Sequence, residues 1–181
     1  MVCSYDARFE STESFFGQLS DSDIDWIAES GKKILHPVDT KLITFGEQNP
    51  MLYIVLDGEL SVQTNTNFEL AKIFSGEILG EMSFIDSRPP SANVIVTMEA
   101  SVLEISKDIL NEKLSKDPEF GSRFYRAIAM FLSQRMRNTI SRMGYGDDKV
   151  EEENVDELDT KVLDNVALAG ARFERLMKKI T

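Results

Sequence analysis

The chain has 181 residues, 42% of them hydrophobic, which is enough for one domain with a full core and short appendages. Its formal net charge of −11 disfavours broad affinity for nucleic acid or for an anionic membrane surface, because both are also negatively charged. The single cysteine, Cys3, excludes an intramolecular disulfide. The apolar runs 52–56 and 127–132 are too short to cross a bilayer, and no export signal is evident. We therefore expect a cytoplasmic protein.

A helix pair is predicted at the start of the domain, after a polar segment over 1–14. A Ser/Asp cluster there precedes an amphipathic run. Ser20 is a favoured N-cap residue, and Asp21 and Asp23 in the first turn suit the positive end of the helix dipole. Trp26 lies on the apolar side of the run, so we expect it to anchor the core.

From Lys33 to Ile105 the pattern is typical of β-structure. Short runs rich in β-branched and aliphatic residues are separated by Gly, Pro, Asn and Asp every eight to twelve residues. Asp57-Gly58 predicts a tight hairpin turn. The sequence thus predicts seven or eight short strands that bury their faces in a sandwich or jelly roll. The strand-like runs are 33–35, 41–45, 51–56, 60–64, 69–74, 92–97 and 101–105.

A long helix is predicted from Pro118 to Met143. Proline is tolerated at the first helical position because its missing N–H has no partner there, and Asp117 can cap ahead of it. Apolar side chains recur every three or four residues along this segment, and its arginines fall mostly off that stripe. Since the stripe is long for a protein of this size, we expect a partner helix to cover part of it, as in a homodimer.

The last part of the chain divides into a linker and a helix. Residues 144–160 contain eight acidic residues and one lysine, so 8 − 1 gives seven of the eleven net negative charges. This segment lacks the apolar content to fold alone and is predicted to be an acidic linker. Residues 161–181 predict an amphipathic helix with a basic C-terminal end. We expect this helix to dock on the protein or on its dimer mate rather than on a membrane.

The most informative stretch contains two Gly-Glu pairs, Gly76-Glu77 and Gly80-Glu81, followed by Arg-Pro-Pro-Ser-Ala-Asn-Val at 88–94. Glycine at such positions lets the backbone approach a ligand closely. The order and spacing resemble the phosphate-binding cassette of cyclic-nucleotide-binding domains. In that cassette Gly-Glu is followed, nine or ten residues after the Glu, by Arg-Ser-Ala or Arg-Ala-Ala.

The order of elements over 15–143 is also similar to this family, which includes the catabolite activator protein and protein kinase A regulatory subunits. Residues 52–60 resemble the family's aromatic-aliphatic strand, and 79–82 resemble its Gly-Glu motif. The resemblance implies a mainly β fold with flanking α-helices. It would be an eight-stranded jelly-roll β-barrel with an N-terminal helix pair and a long C-terminal helix.

The resemblance also implies roles for individual residues. Glu81 would accept a hydrogen bond from the ribose 2′-hydroxyl, Gly80 would let the backbone approach the sugar, and the N–H groups that follow would point at the phosphate. Base contacts would come from the long helix, where the candidates are Ser133, Gln134 and Arg137. The candidate ligand-binding residues are Gly80, Glu81, Met82, Ser83, Arg88, Pro90, Ser91 and Ala92.

One position departs from the family pattern. Nine residues after Glu81 (90 − 81 = 9) stands Pro90, where the family has the arginine that neutralises the phosphate. Arg88 is the candidate replacement; the alternative is a solvated arginine in a turn made rigid by proline. Gly76 and Gly80 also have a structural explanation as tight turns, and Glu81 has one as the partner of a neighbouring backbone group or cation.

The sequence favours regulation over catalysis. It contains no evident catalytic constellation and no cluster of metal ligands, and no cofactor is expected. After Met143, 181 − 143 leaves 38 residues, too few for the winged helix of the family's activators, so we expect no direct DNA binding. Two hypotheses remain. In the first, a cyclic nucleotide or another small anionic ligand is sensed and a protein partner responds. In the second, the pocket is degenerate and the chain is a ligand-free interaction or oligomerisation scaffold.

Overall fold

The computed structural model describes residues 15–142 and 160–180, without the side chains of 141–142 and 160–164. The predicted N-terminal segment 1–14 and nearly all of the predicted linker 144–160 lie outside the described residues, and so does Cys3. Of the first helix in the predicted pair, only the turn at 15–16 is described.

The described residues form six strands and, besides the two helical residues 15–16, five helices. In chain order these are α1 (Asp21–Ser30), β1 (Lys32–His36), β2 (Lys41–Ile43), β3 (Met51–Gln63), β4 (Glu69–Ile73), β5 (Ile78–Leu79), α2 (Glu81–Asp86), β6 (Asn93–Ser106), α3 (Lys107–Lys116), α4 (Pro118–Arg142) and α5 (Thr160–Lys179).

The predicted start of α1 is confirmed. The Ser20 hydroxyl accepts a hydrogen bond from the Asp23 N–H at 3.2 Å, and the Asp23 carboxylate accepts one from the Ser20 N–H at 2.7 Å. These two bonds satisfy donors that a helix start otherwise leaves unpaired. Trp26 is half-buried and packs edge-on against the Phe120 ring of α4, with ring centroids 5.2 Å apart.

The sheet is antiparallel, with the order β1-β6-β3-β4; β2 also pairs with β6, and β5 with β3. The mainly β class with flanking helices is confirmed, but the described residues form six strands and not eight. The runs predicted at 51–56 and 60–64 are both within the 13-residue β3. Likewise, those at 92–97 and 101–105 are both within the 14-residue β6.

The predicted hairpin turn at Asp57-Gly58 is therefore wrong. Gly58 lies inside β3 with φ of +96°, where the pairing with β6 shifts register around Asp57 and Glu59. A Cβ at this position would lie 2.4 Å from the carbonyl oxygen of Glu99, so only glycine fits this bulge without distortion. The same residue types that favour a tight turn also favour a bulge, because both require positive φ.

The side chains of β3 contribute to two cores. Leu52, Ile54 and Leu56 face the helices, together with the phenylalanines of α4. Val55 before the bulge and Leu60 after it belong instead to the cluster inside the sheet. Since side chains alternate along a strand, residues 55 and 60 share a face only because the register shifts between them.

The C-terminal helix α5 packs on α1 of the same chain. Of the two predicted alternatives, the protein itself or its dimer mate, the structure shows the first. Leu176 is fully buried, and the Phe173 ring meets Phe16 edge-on at a centroid distance of 5.4 Å. Arg175 donates to both carboxylate oxygens of Asp25, at 2.6 and 2.8 Å. The hydrogen bonds from Arg175 hold the pKa of Asp25 well below its usual range, with Lys179 as a further cation.

A second ion pair joins α1 to α4. Arg123 donates to both oxygens of the Asp23 carboxylate, at 2.6 and 2.9 Å, and the Asp23 side chain is 4% exposed. Burial alone would raise the pKa of Asp23, but the hydrogen bonds from Arg123 and Ser20 outweigh it and the pKa is lowered. The pair thus holds α4 against α1.

Replacing Arg123 by Met should lower the free energy of unfolding by about 1–3 kcal/mol, because the Asp23 carboxylate loses its counter-ion while it stays buried. The loss is smaller than for a fully buried pair because the Arg123 side chain is 34% exposed. Since the folded-state pKa of Asp23 is lowered, its stabilisation is present above about pH 4 and is lost as the pH falls further. Arg123→Met should therefore lose less stability than wild type in acid. Urea unfolding at several pH values, followed by the fluorescence of Trp26, measures both effects.

Arg126→Met is the matched control, because Arg126 lies on the same helix and is exposed. It should change the free energy of unfolding by less than about 0.5 kcal/mol. An equal effect of the two substitutions would contradict a structural role for the Asp23–Arg123 pair.

Candidate functional site

The first Gly-Glu pair anchors a turn between β4 and β5. Gly76, with φ of +86°, donates its N–H to the Val55 carbonyl oxygen at 2.8 Å. The Glu77 carboxylate accepts the N–H of Phe74 at 2.7 Å. These contacts tie the cassette to the centre of β3, so this pair has an evident structural role.

The second Gly-Glu pair begins α2 at the end of β5. Gly80 has φ of +85°, and a Cβ there would lie 2.7 Å from the Met51 carbonyl oxygen and 2.9 Å from Nδ2 of Asn49. Asn49 is itself fixed, since its Nδ2 donates to the Met51 carbonyl at 2.8 Å and its Oδ1 accepts from the Tyr53 hydroxyl at 3.2 Å. Burial, with the negative charge of Glu104 as a second cause, raises the pKa of Tyr53 to about 12, so this hydroxyl remains a donor. The close backbone contact requires glycine at position 80.

A cavity of about 250 Å³ opens between this cassette and α4. Four apolar residues of the strands line it, which are Ile43, Val62, Leu79 and Val94. All eight candidate ligand-binding residues of the cassette line it, which are Gly80, Glu81, Met82, Ser83, Arg88, Pro90, Ser91 and Ala92. The remaining lining residues are Asp86, Pro89 and Arg135. The structure thus brings the predicted set together, while binding itself remains a prediction.

Glu81 is buried in the wall of the cavity and is paired with Arg135 of α4. Its side chain is 3% exposed, and Nη1 of Arg135 donates to its Oε1 at 2.7 Å. The Arg135 guanidinium also lies 4.9 Å from the ring centroid of Phe131. Its Nη2 is buried and has no hydrogen-bond partner. A buried donor without a partner costs about 1–3 kcal/mol, so this group is available to an additional acceptor.

Sequence reasoning missed Arg135 as a site residue and placed it only among the polar-face arginines of the long helix. A signal was nevertheless present. A glutamate expected to be buried needs a nearby cation, and Arg135 lies four residues after Phe131, which belongs to the apolar stripe. The pattern did not distinguish Arg135 from the other arginines of α4, because the register of the helix against the cassette depends on tertiary packing.

Lys107, the first residue of α3, is a second cation near Glu81. Its Nζ donates to the Ser83 hydroxyl at 2.9 Å. Burial lowers the pKa of Lys107, although the charge of Glu81 acts in the opposite direction. The lysine is thus bonded to α2 through Ser83, and it does not line the cavity.

Arg88, the candidate replacement for the missing arginine, lies at the rim. Its side chain is 84% exposed, and its Nε is 3.9 Å from an oxygen of Asp86. The other Asp86 oxygen accepts the Arg88 backbone N–H at 3.0 Å, which stabilises the turn. Pro90 is fixed by its carbonyl oxygen, which accepts the Gly46 N–H at 2.9 Å. This geometry matches the alternative of a solvated arginine in a proline-containing turn.

The three candidates for base contact do not line the cavity in the part of the chain that the structure describes. Ser133 and Gln134 are half-buried, and Gln134 donates to the Asn138 side chain at 3.2 Å. Arg137 is exposed. Their roles therefore remain predictions, and the helix residue that reaches the cavity is Arg135.

Residues 15–142 and 160–180 contain neither a cluster of metal ligands nor a helix suited to cross a membrane. No group of three or more His, Cys, Asp or Glu side chains lies close enough together there to hold a metal ion. None of the helices in these ranges combines the length and the apolar character that crossing a membrane requires.

Comparisons with known proteins, by sequence and by structure, agree with the family resemblance of the Gly-Glu cassette. Residues 37–117 match the family model described as "Cyclic nucleotide-binding domain". Cyclic GMP-binding protein C of Dictyostelium discoideum is 26% identical in an alignment of 136 residues that covers 71% of this chain and 5% of that protein's length. The chain therefore corresponds to a small part of this curated relative.

Solved structures with this fold include a cyclic nucleotide-binding domain from Methylobacillus flagellatus, with a TM-score of 0.67 and 26% identity, covering 75% of this chain and 82% of that chain. The catabolite activator protein of Thermus thermophilus has a TM-score of 0.60 and 18% identity, covering 92% and 84% of the two chains. The family match includes the cassette but ends before α4 and Arg135. Residues 37–117 of the chain thus resemble the cyclic nucleotide-binding domain family in sequence, and the chain shares the fold of solved members of that family.

Proposed function

We propose that this chain is a non-enzymatic regulatory protein whose cavity senses a small anionic ligand, a cyclic nucleotide such as cAMP or a relative, and which signals through its C-terminal helices. We also propose that the protein acts in the cytoplasm, without direct DNA contact and without a membrane.

The observation that carries this proposal is the contact between the cassette and α4. Glu81, which the family resemblance assigns to the ribose hydroxyl, is buried at the cavity and bonded to Arg135 of the long helix at 2.7 Å. A ligand that engages Glu81 must therefore change the surroundings of Arg135. Such a ligand shifts the position of α4 to the extent that it binds one helix position more tightly than another.

The charged residues that line the cavity balance one another, so one added cation should raise the affinity for an anionic ligand. Its lining contains two acidic residues, Glu81 and Asp86, and two basic ones, Arg88 and Arg135. A cyclic nucleotide brings one negative charge, and Pro90 contributes neither a side-chain charge nor an N–H donor to it. An arginine at position 90 adds the planar donor group that fits two phosphate oxygens.

Replacing Pro90 by Arg should strengthen cyclic-nucleotide binding by roughly 10- to 100-fold, because hydrogen bonds to charged groups contribute about 1.5–3 kcal/mol. Calorimetric titration of wild type and Pro90→Arg with cAMP, cGMP and a cyclic dinucleotide measures the change. Pro89→Arg is the matched control, since it adds the same charge one residue earlier, and it should give a smaller gain. Absence of binding by both wild type and Pro90→Arg would contradict the sensing proposal.

The second candidate function is a ligand-free interaction scaffold with a degenerate pocket. Two observations favour it. Pro90 replaces the phosphate-binding arginine, and the Glu81 carboxylate already has a counter-ion in Arg135, so it needs no ligand to balance its charge. The titration described above separates this candidate from the first.

We further propose that α4 forms a homodimer interface. Tyr125, Met136 and Ile140 are 49%, 65% and 40% exposed, and helical geometry places them on one stripe with Leu132. Exposed apolar side chains arranged along one helix face favour association with a second helix.

A double substitution, Met136→Glu with Ile140→Glu, should shift the protein from dimer to monomer at micromolar concentration, because charges would face each other across the interface. Sedimentation equilibrium gives the mass directly. Met130→Glu is the control, since Met130 is also exposed, at 41%, but lies off this stripe; it should remain dimeric. A monomeric wild-type protein would refute the interface.

A further inference from the structure

We infer that Arg135 of α4 binds the anionic group of the ligand, in place of the cassette arginine whose position Pro90 occupies. The inference rests on the proposed function, since it concerns the same cavity and the same class of ligand. It assigns the compensating charge to the long helix rather than to the cassette.

The cassette itself offers no shielded cation. Pro90 has no donor, and Arg88, the one basic side chain of the cassette at the cavity, is 84% exposed. A charge in that position is screened by water and is already 3.9 Å from the opposite charge of Asp86. Arg88 therefore adds little attraction for an anion inside the cavity.

Arg135 has the properties that Arg88 lacks. Its side chain is 29% exposed and lines the cavity wall, where a lower dielectric strengthens its attraction for an anion. Its guanidinium is fixed on one side by the Glu81 carboxylate and lies against the Phe131 ring. Nη2 has no acceptor in the structure, so one edge of the donor fork remains available.

The binding step needs a small rearrangement. Nη2 is shielded from solvent, so the Arg135 side chain must turn toward the cavity to place this group on a ligand oxygen. One hydrogen bond, from Nη1 to Glu81, opposes that movement. If Nη1 stays on Glu81, the guanidinium bridges the carboxylate and the ligand anion, and Glu81 keeps a free lone pair for a ligand hydroxyl.

Lys107 is the other nearby cation, and it is a poor substitute. Its Nζ is engaged by the Ser83 hydroxyl at 2.9 Å, and the residue does not line the cavity.

Glu81 and Arg135 together restrict the choice of ligand. A ligand that carries both a hydroxyl and a singly charged anionic group within reach of each other matches the adjacent acceptor and donor of Glu81 and Arg135. An uncharged nucleoside satisfies Glu81 but leaves Nη2 without a partner. The ligand's charge, rather than its base, is therefore the property that Arg135 selects.

The test is calorimetric titration of the full chain with cAMP, cGMP and uncharged adenosine. Arg135→Gln should weaken binding of the better cyclic nucleotide by roughly 10- to 100-fold, because it removes a charged donor group. Any affinity for adenosine should change less than about threefold, since adenosine has no anionic group. Arg126→Gln, on an exposed position of the same helix, should leave both affinities unchanged.

The outcomes separate this inference from the proposed function. Weaker cyclic-nucleotide binding in Arg88→Gln, with none in Arg135→Gln, would overturn the assignment to Arg135 and leave the sensing proposal intact. Equal losses for cAMP and adenosine in Arg135→Gln would also overturn it, because the effect would not depend on ligand charge. No binding of either cyclic nucleotide to the wild-type protein would refute the proposed function, and this inference with it.

Because Arg135→Gln leaves Glu81 buried without a counter-ion, its fold is checked by circular dichroism and thermal unfolding. If it does not fold, Arg135→Lys keeps a positive charge beside Glu81 and replaces the donor fork by a point charge. This variant should lose about 3- to 10-fold in cyclic-nucleotide affinity. A folded Arg135→Lys that binds as wild type does would overturn the inference.

Discussion

The ion pair between Glu81 and Arg135 is the constraint on which the candidate site depends. A carboxylate whose side chain is 3% exposed is costly to bury without a counter-ion, and the counter-ion comes from α4, 54 residues later in the chain. Truncating one member of a buried pair costs about 3–5 kcal/mol, whereas the intact pair adds little net stability. The pair therefore specifies where α4 lies against the cassette more than it strengthens the fold.

Both partners of this pair are positioned by rigid neighbours. Gly80 contacts the Met51 backbone closely enough to exclude any Cβ, which fixes the start of α2 and hence Glu81. On the other side, α4 is held by its buried phenylalanines and by the bidentate Asp23–Arg123 pair with α1. Since α5 in turn packs on α1, a movement of α4 would change the contacts of α1 and, through α1, those of the C-terminal helix.

The sequence was sufficient for features with local causes. The Ser20 cap and the start of α4 at Pro118 follow from single residues whose chemistry is specific, and the Gly-Glu spacing was enough to locate the cassette. The hairpin expected at Asp57-Gly58 was wrong because this residue pair suits a bulge as well as a tight turn. Arg135 was missed because its role depends on how the face of α4 meets the cassette, which is decided by long-range packing of Phe124, Phe131 and their neighbours.

A double-mutant cycle on stability tests the central claim most directly, and it does so without any ligand. Urea unfolding of wild type, Glu81→Gln, Arg135→Gln and the double variant gives the interaction energy of the pair. The account predicts a coupling of about 2–3 kcal/mol, with the double variant more stable than the sum of the two single changes implies. A coupling within about 0.5 kcal/mol of zero would mean that the cassette and α4 are positioned independently, which would contradict the account.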